Sequence, residues 1–358
     1  MKNPITIEHV ETTPEIKFPD SLGFGLIFTD RMFSQRFNEE KGWHDAKIGP
    51  YAQITLDPAA TVFHNGQMIF DGTKAYRRND GNINLFRPNL NVERFNLSAV
   101  RMGMPAVDAA QHLDAIRQLV KLEERWVPNK TGTALYIRPA MISTEKTLEV
   151  RASKEYLHFI VLTPVAPYFA DGFNPVAVLV SDDYVRAVPG GTGQAKTPGN
   201  YAGSIAATEI ALQKGYQQVL WLDGIERKYI DEVGAMNIAF VINGKEIITP
   251  SLTGAILHGV TRKSLLDLAP QLGYSIKERK ITIDEVIEGL SSGVVTEIFG
   301  MGTGAVIAPV GRLSYKNNAI KVQNGEPGPV ATHLYSELTN LQRGQTDDTN
   351  NWTQMIKI

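Results

Sequence analysis

The chain contains no cysteine. That absence excludes disulfides, thiolate metal sites and a cysteine nucleophile, and it suits a reducing cytoplasm. Histidine is scarce as well. The seven histidines are scattered, with no pair at i, i+4 and none in a carboxylate cluster, so no metal site is expected. Long apolar runs are missing. Stretches such as Phe159-Ile160-Val161-Leu162 fall far short of the roughly 20 residues that span a bilayer. Met1-Lys2-Asn3-Pro4-Ile5 lacks the apolar core of a secretory signal. Neither sign of charge dominates. The formal net charge is −2, which argues against a nucleic-acid surface and does not favour a membrane surface. The expectation is a cytoplasmic protein whose partners are small molecules.

Within those limits the chain has material for two domains. Apolar residues make up 43% of its 358 residues, and single cores rarely outgrow roughly 250–300 residues. Ala52-Gln53-Ile54-Thr55-Leu56 alternates like a half-buried strand, and Thr61 to Phe70 predicts a second that turns at Asp71-Gly72. Leu113, Ile116 and Val120 predict an amphipathic helix from Val107 to Trp126. Ala134 to Ile142, Tyr156 to Val165 and Val176 to Ser181 read as strands. Prolines, a glycine and aromatics cluster over 166–175. The expected division is therefore 1–167 and 176–358, joined by a linker at 168–175. Further on, Ser204 is placed to cap a helix that stops at Gly215. Ile230 to Ile242 and Glu246 to Ile248 flank an Asn243-Gly244 turn. Thr282 and Glu285 have capping-box spacing, and Glu297 to Val310 reads as one strand interrupted by glycines. Leu334, Leu338 and Leu341 share the face of a final helix. This order is α+β rather than regular βαβ, which disfavours a doubly wound nucleotide fold.

Few residues stand out chemically. Lys196 lies in Pro189-Gly190-Gly191-Thr192-Gly193-Gln194-Ala195-Lys196-Thr197-Pro198-Gly199, a flexible setting that lets an amine approach a cofactor. A desolvated lysine can form a Schiff base, but an exposed lysine in a mobile loop fits the same composition. The glycine spacing is wrong for a Walker phosphate loop. Glu232 sits in an apolar strand pattern with Ile230, Val233, Met236, Ile238 and Phe240. It is either buried with a partner or faces water from an edge. Gly259-Val260-Thr261 precedes a helix and could offer N–H groups to an anion, as could the turn around Thr303. Arg94 could hold a phosphate or simply be solvated. Phe24, Phe70, Tyr136 and Tyr168 are core unless the fold gathers them into a pocket.

Taken together, ordered blocks across the chain resemble the branched-chain amino acid aminotransferases, fold type IV enzymes of the class IV aminotransferase family. The blocks include Phe24-Gly25, Phe28-Thr29-Asp30, Leu85-Phe86-Arg87-Pro88-Asn89, Leu135-Tyr136-Ile137-Arg138-Pro139 and Pro164-Val165-Ala166-Pro167-Tyr168-Phe169. They continue through Tyr184-Val185-Arg186-Ala187, Gly190-Gly191-Thr192-Gly193, Glu232-Val233-Gly234, Met236-Asn237, Gly259-Val260-Thr261-Arg262 and Gly302-Thr303. The resemblance implies a smaller N-terminal α/β domain, a larger C-terminal domain with a barrel-like sheet, and a homodimer with shared active sites. It implies pyridoxal 5'-phosphate as cofactor. The reaction implied is reversible transamination of leucine, isoleucine and valine with 2-oxoglutarate, giving L-glutamate.

The resemblance also implies roles. Lys196 would carry the cofactor as a Schiff base and move the proton at Cα. Tyr201 would bond the cofactor's phenolic oxygen, and Glu232 its pyridine nitrogen. Arg94, Val260, Thr261 and Thr303 would bind the phosphate. The N–H groups of Thr303 and Gly304 would meet the substrate carboxylate. Phe24, Phe70, Tyr136 and Tyr168 would line the side-chain pocket, with Arg138 for the distal carboxylate of glutamate. Several positions depart from the family, among them Asn65, Asp71, Ala235, where some members have a threonine, and Ala305 and Ala308, where mammalian members carry a cysteine pair. Asn65 stands where a tyrosine usually helps anchor substrate, often across the dimer, and Asp71 replaces the usual glutamate. Asn65 leaves open a shifted range of L- or D-amino acids. A non-catalytic protein that merely binds the cofactor is the reading from a different class.

Overall fold

The computed structural model describes residues 4–19, 22–167 and 173–358. The chain divides into two compact units, Met1–Ala170 with Ala195–Pro198 and Asn340–Ile358, and Asp171–Gln194 with Gly199–Thr339. The expected domains of 1–167 and 176–358 therefore need amendment at two places. Residues 195–198 and 340–358 go with the first unit, because their backbones bond to its elements.

Strands of the first unit form one sheet in the order Thr6–Ile7, Gly42–Pro50, Arg31–Asn38, Glu155–Val165, Ala134–Ser143, Thr73–Arg77, Ile83–Phe86 and Thr353–Ile356, with Met68–Phe70 also paired to Ala134–Ser143. Its apolar residues, among them Phe33, Ile48, Leu85, Leu135 and Ile160, pack against Ala115, Ile116, Leu119 and Val120. Those four lie on the helix Ala109–Leu122, whose spacing puts them on one stripe. Each large side chain so buried contributes roughly 1.5–3 kcal/mol relative to exposure. The helix begins after Asp108, whose carboxylate caps the Gln111 N–H, so it is shorter than the expected Val107 to Trp126.

Three other expectations change. Residues 52–56 form no strand, since the segment's alternation faces solvent on both sides for most of its length. Thr61 to Phe70 is not one strand but a helical turn, Thr61–Asn65, followed by Met68–Phe70, because Gly66 adopts φ 61° and reverses the chain between them. A helix at Pro88–Arg101 was not foreseen. Pro88 presets its first turn, and Val92, Phe95 and Ala99 are buried.

The second unit is built on a sheet ordered Ile230–Val233, Gln218–Leu222, Val176–Val180, Val306–Tyr315, Val295–Gly302, Asn237–Ile242, Glu246–Thr249 and Ser275–Glu278, with Asn318–Lys321 on Val306–Tyr315. An isolated bridge between Val233 and Met236 links Ile230–Val233 to the start of Asn237–Ile242, so the sheet curls back on itself like a barrel. The expected single strand from Glu297 to Val310 is a hairpin, turned at residues 303–305. Val306 leaves that turn at φ 63°, a conformation that costs a β-branched residue strain. Ser204 precedes the helix Ile205–Gln213 without capping it; its hydroxyl donates to the Tyr201 carbonyl instead. Thr282 does cap, accepting the Glu285 N–H at 3.0 Å, while the Glu285 carboxylate pairs with Arg279.

Candidate active site

The first unit gathers five of the expected residues around one strand pair. Tyr136 and Arg138 alternate along Ala134–Ser143 and so share a face. Phe24 meets the Tyr136 ring edge-on at 4.9 Å between centroids. The Arg138 guanidinium lies over Phe70 at 4.8 Å and over Tyr136 at 5.2 Å, and it donates to the Tyr136 hydroxyl at 3.3 Å. The Lys196 amine is 5.3 Å from the Phe70 ring centre. Gly72 is obligatory here, because a Cβ on it would fall 1.7 Å from the Tyr136 hydroxyl.

Lys196 is not on a loose loop. Its N–H donates to Ser98 Oγ at 2.9 Å, its carbonyl accepts from Phe70 N–H at 3.0 Å, and Thr197 Oγ1 donates to the Met68 carbonyl at 2.8 Å. The glycines that suggested mobility let the chain turn. They do not leave the lysine unanchored. Ser98 and Arg94 both stand on the helix Pro88–Arg101. Arg94 grips Asp71 with two bonds, 2.9 and 2.8 Å, and Asn91 adds a third at 2.9 Å. Burial alone would raise the Asp71 carboxyl. The Arg94 guanidinium, then Lys196 and Asn91, outweigh it and hold the group below the usual carboxylate range. Arg94 is therefore buried and bidentate, but the partner observed for that fork is Asp71.

In the second unit, Glu232 is 3% exposed. Its carboxylate meets Arg186 Nε at 2.9 Å, the Leu257 N–H at 2.9 Å and Asn237 Nδ2 at 3.1 Å. The Leu257 N–H and Asn237 Nδ2 donate to it, and Arg186 supplies the countercharge. Asn237 also ties Glu232 to the helix Val260–Leu268: a Cβ on Gly259, just before that helix, would lie 1.9 Å from Asn237 Oδ1. Val260 and Thr261 open the helix, both buried, and no side chain caps it. Thr303 and Gly304 form the turn after Val295–Gly302, half-buried. Tyr201 is half-buried on Pro198–Ala202.

Two expected residues do not join these groups. Tyr168 lies outside the described residues. Asn65 donates to the Glu149 carbonyl at 2.9 Å, and no bond links it to the Phe70–Tyr136–Arg138 cluster. Other residues were not foreseen. Arg186, Asn237 and Ser98 surround the expected ones without having been singled out for a role; a buried glutamate in an apolar strand needs a countercharge, which is the signal that could have found Arg186. Lys74 is a second lysine on the Tyr136 face, directly opposite it in the ladder. Burial, and then Arg343, push its amine down to about 8.

The family model described as amino-transferase class IV matches residues 68–313. The chain is 48% identical over 355 residues to branched-chain-amino-acid aminotransferase 2 of Bacillus subtilis strain 168, covering 99% of this chain and 98% of that one. It is 51% identical to that organism's branched-chain-amino-acid transaminase 1, covering 94% of each. Its fold matches the crystal structure of the Escherichia coli branched-chain amino acid aminotransferase with a TM-score of 0.75 at 24% identity, over 92% of this chain and 99% of that chain. The Thermobaculum terrenum enzyme in its PLP form matches with a TM-score of 0.75 at 21% identity, over 92% and 99%.

Proposed function

On the footing that the chain belongs to the class IV aminotransferases, in their branched-chain group, we propose that it moves amino groups between leucine, isoleucine or valine and 2-oxoglutarate, with Lys196 as the working lysine. The observation that carries this reading is Arg138. Its guanidinium lies over two aromatic rings and pairs with no carboxylate among the described residues. An apolar pocket with one such cation at its edge can accept leucine's side chain and glutamate's in turn. A carboxylate left unpaired there would cost more than the roughly 1.5–3 kcal/mol that burying a leucine side chain contributes.

The donor set fits pyridoxal 5'-phosphate. The acceptor that Glu232 presents suits a protonated ring nitrogen. The helix start at Val260 and Thr261, which no side chain caps, suits an anion. When bound, the cofactor supplies an aldehyde for the amino group and a ring that draws electrons from Cα. The protein does the rest. Glu232 keeps the proton on the pyridine nitrogen, and Tyr201 bonds the phenolic oxygen. Val260, Thr261 and Thr303 would hold the phosphate, whereas the Arg94 fork is taken by Asp71. The N–H groups of Thr303 and Gly304 orient the substrate carboxylate, and the Lys196 amine takes and returns the Cα proton. Phe24, Phe70, Tyr136 and Tyr168 exclude water from the side chain. The working form is a cytoplasmic homodimer, as the family resemblance implies, in which the Asn65 segment serves the neighbouring chain.

Visible absorption tests the proposal. Adding L-leucine to the purified protein should move its visible band to shorter wavelength, and 2-oxoglutarate should restore it. A protein without a chromophore overturns the mechanism. A response to D-alanine and none to L-leucine overturns the substrate assignment.

A further inference from the structure

A cavity lies within the second unit, beside the strand Ile230–Val233, whose Ile230 and Asp231 line it. Its volume is about 310 Å³, at the lower end of the roughly 300–1,000 Å³ typical of ligand pockets. Asp231 is the unpaired residue where the strand Ile230–Val233 shifts register against Gln218–Leu222, between Ile230 paired with Leu222 and Glu232 paired with Trp221. Glu232 turns to Arg186 and Leu257; Asp231 lines the cavity.

Asp231 is only 5% exposed, and its side chain accepts no hydrogen bond and forms no ion pair among the described residues. A carboxyl group buried to that extent normally has a partner. The charged residues that share the lining with it are Asp223, Glu226 and Lys280, among apolar side chains and the hydroxyls of Ser251, Thr253 and Tyr229. Asp223 is already engaged, accepting the N–H groups of Ile225, Glu226, Lys228 and Tyr229. Lys280 does not pair with Asp231; its amine rests 4.6 Å from the centre of the Tyr229 ring, which also lines the cavity. The Lys228 amine lies 5.7 Å from the same ring centre, so the ring already receives two cations.

We propose that this cavity binds a small organic cation of the alkylammonium class, with Asp231 as its counterion and the Tyr229 ring as its second contact. The local charges support the sign. Carboxylates outnumber cations in the lining, and Glu232 is the next residue in the strand. Burial, then Glu232, push the Asp231 carboxyl up to about 7, with Asp223 adding to the rise and Arg186 and Lys280 opposing it. The free protein relieves the unpaired charge by holding a proton. A bound cation supplies the countercharge instead, so it selects the ionised form and releases that proton. Because the folded value lies above the ordinary 3.8, the ionised fraction grows as pH rises through about 7.

The probe is propyltrimethylammonium, which has no N–H and cannot condense with an aldehyde in the transaminase site. Calorimetric titration of the purified, cofactor-loaded protein should show one saturable site per chain. Affinity should rise about tenfold between pH 6 and pH 8, as the ionised fraction of a group titrating near 7 does. Asp231→Asn keeps the shape and should weaken binding at least about tenfold. Ile225 is 73% exposed at the cavity lining, so Ile225→Trp should fill the entrance without disturbing the core, and should weaken binding to a similar degree. Absence of saturable binding overturns the proposal. So does an affinity indifferent to Asp231→Asn, or one that falls with rising pH.

Discussion

Replacing Lys196 with alanine is expected to lower kcat by about 10²–10⁴-fold or more, the range that a positioned proton-transfer group supplies before any covalent role is counted. Melting temperature should change little. The anchors of this residue are its N–H on Ser98 and its carbonyl under Phe70, and both are backbone groups that survive the substitution. Steady-state assays with L-leucine and 2-oxoglutarate, paired with a thermal melt, check both halves. Loss of activity with a collapsed melt would not support the role; loss with an intact melt would. The Tyr136 face holds one rival, Lys74, whose amine burial pushes down to about 8. Full turnover in Lys196→Ala would transfer the role there.

Asp71→Asn should be the most damaging change to stability in the first unit. The carboxylate is fully buried and bonded to Arg94, Asn91 and its own Gly72 N–H. Removing one partner of a buried ion pair leaves the other charge uncompensated, at a cost of about 3–5 kcal/mol. Urea unfolding at pH 7 measures the loss, and Asp71→Asn combined with Arg94→Met should recover part of it. The pH dependence has a definite sign. The folded carboxyl titrates below its ordinary 3.8, so its stabilisation is complete above about pH 4 and is lost as pH falls further. The wild-type protein should therefore lose stability more steeply than Asp71→Asn below pH 4. Equal slopes would remove Asp71 from the account.

Much of this architecture was legible in the sequence, and the parts that were not have physical reasons. The α+β order follows from strand periods, and the strands at 134–143 and 155–165 are long, apolar and bounded, so their positions hold within a residue or two. The helix Pro88–Arg101 was hidden because part of its inward face is polar: Asn91, Arg94 and Ser98 are buried to serve Asp71 and Lys196, which breaks the apolar stripe. Lys196 was visible as a candidate, but its anchoring was not, since Ser98 and Phe70 are far away along the chain. Arg186 escaped for the same reason: only the fold puts it against Glu232. The exposed alternation at 52–56 shows the converse, a pattern without a core to face.

The pairing of Thr353–Ile356 with Ile83–Phe86 has a consequence for how the molecule is made. A ribosome must pass through the whole of the second unit before it delivers the strand that flanks the first sheet. Domains fold as units during synthesis, generally from the N-terminal side. Here the earlier-encoded unit is the one left with an open sheet edge while the later one emerges. Ile83–Phe86 is buried and apolar apart from Asn84 in the finished protein, so on the nascent chain it is an uncovered strand available to other chains. Quality control during translation, rather than the stability of the final fold, then becomes the step at which changes near residue 353 take effect.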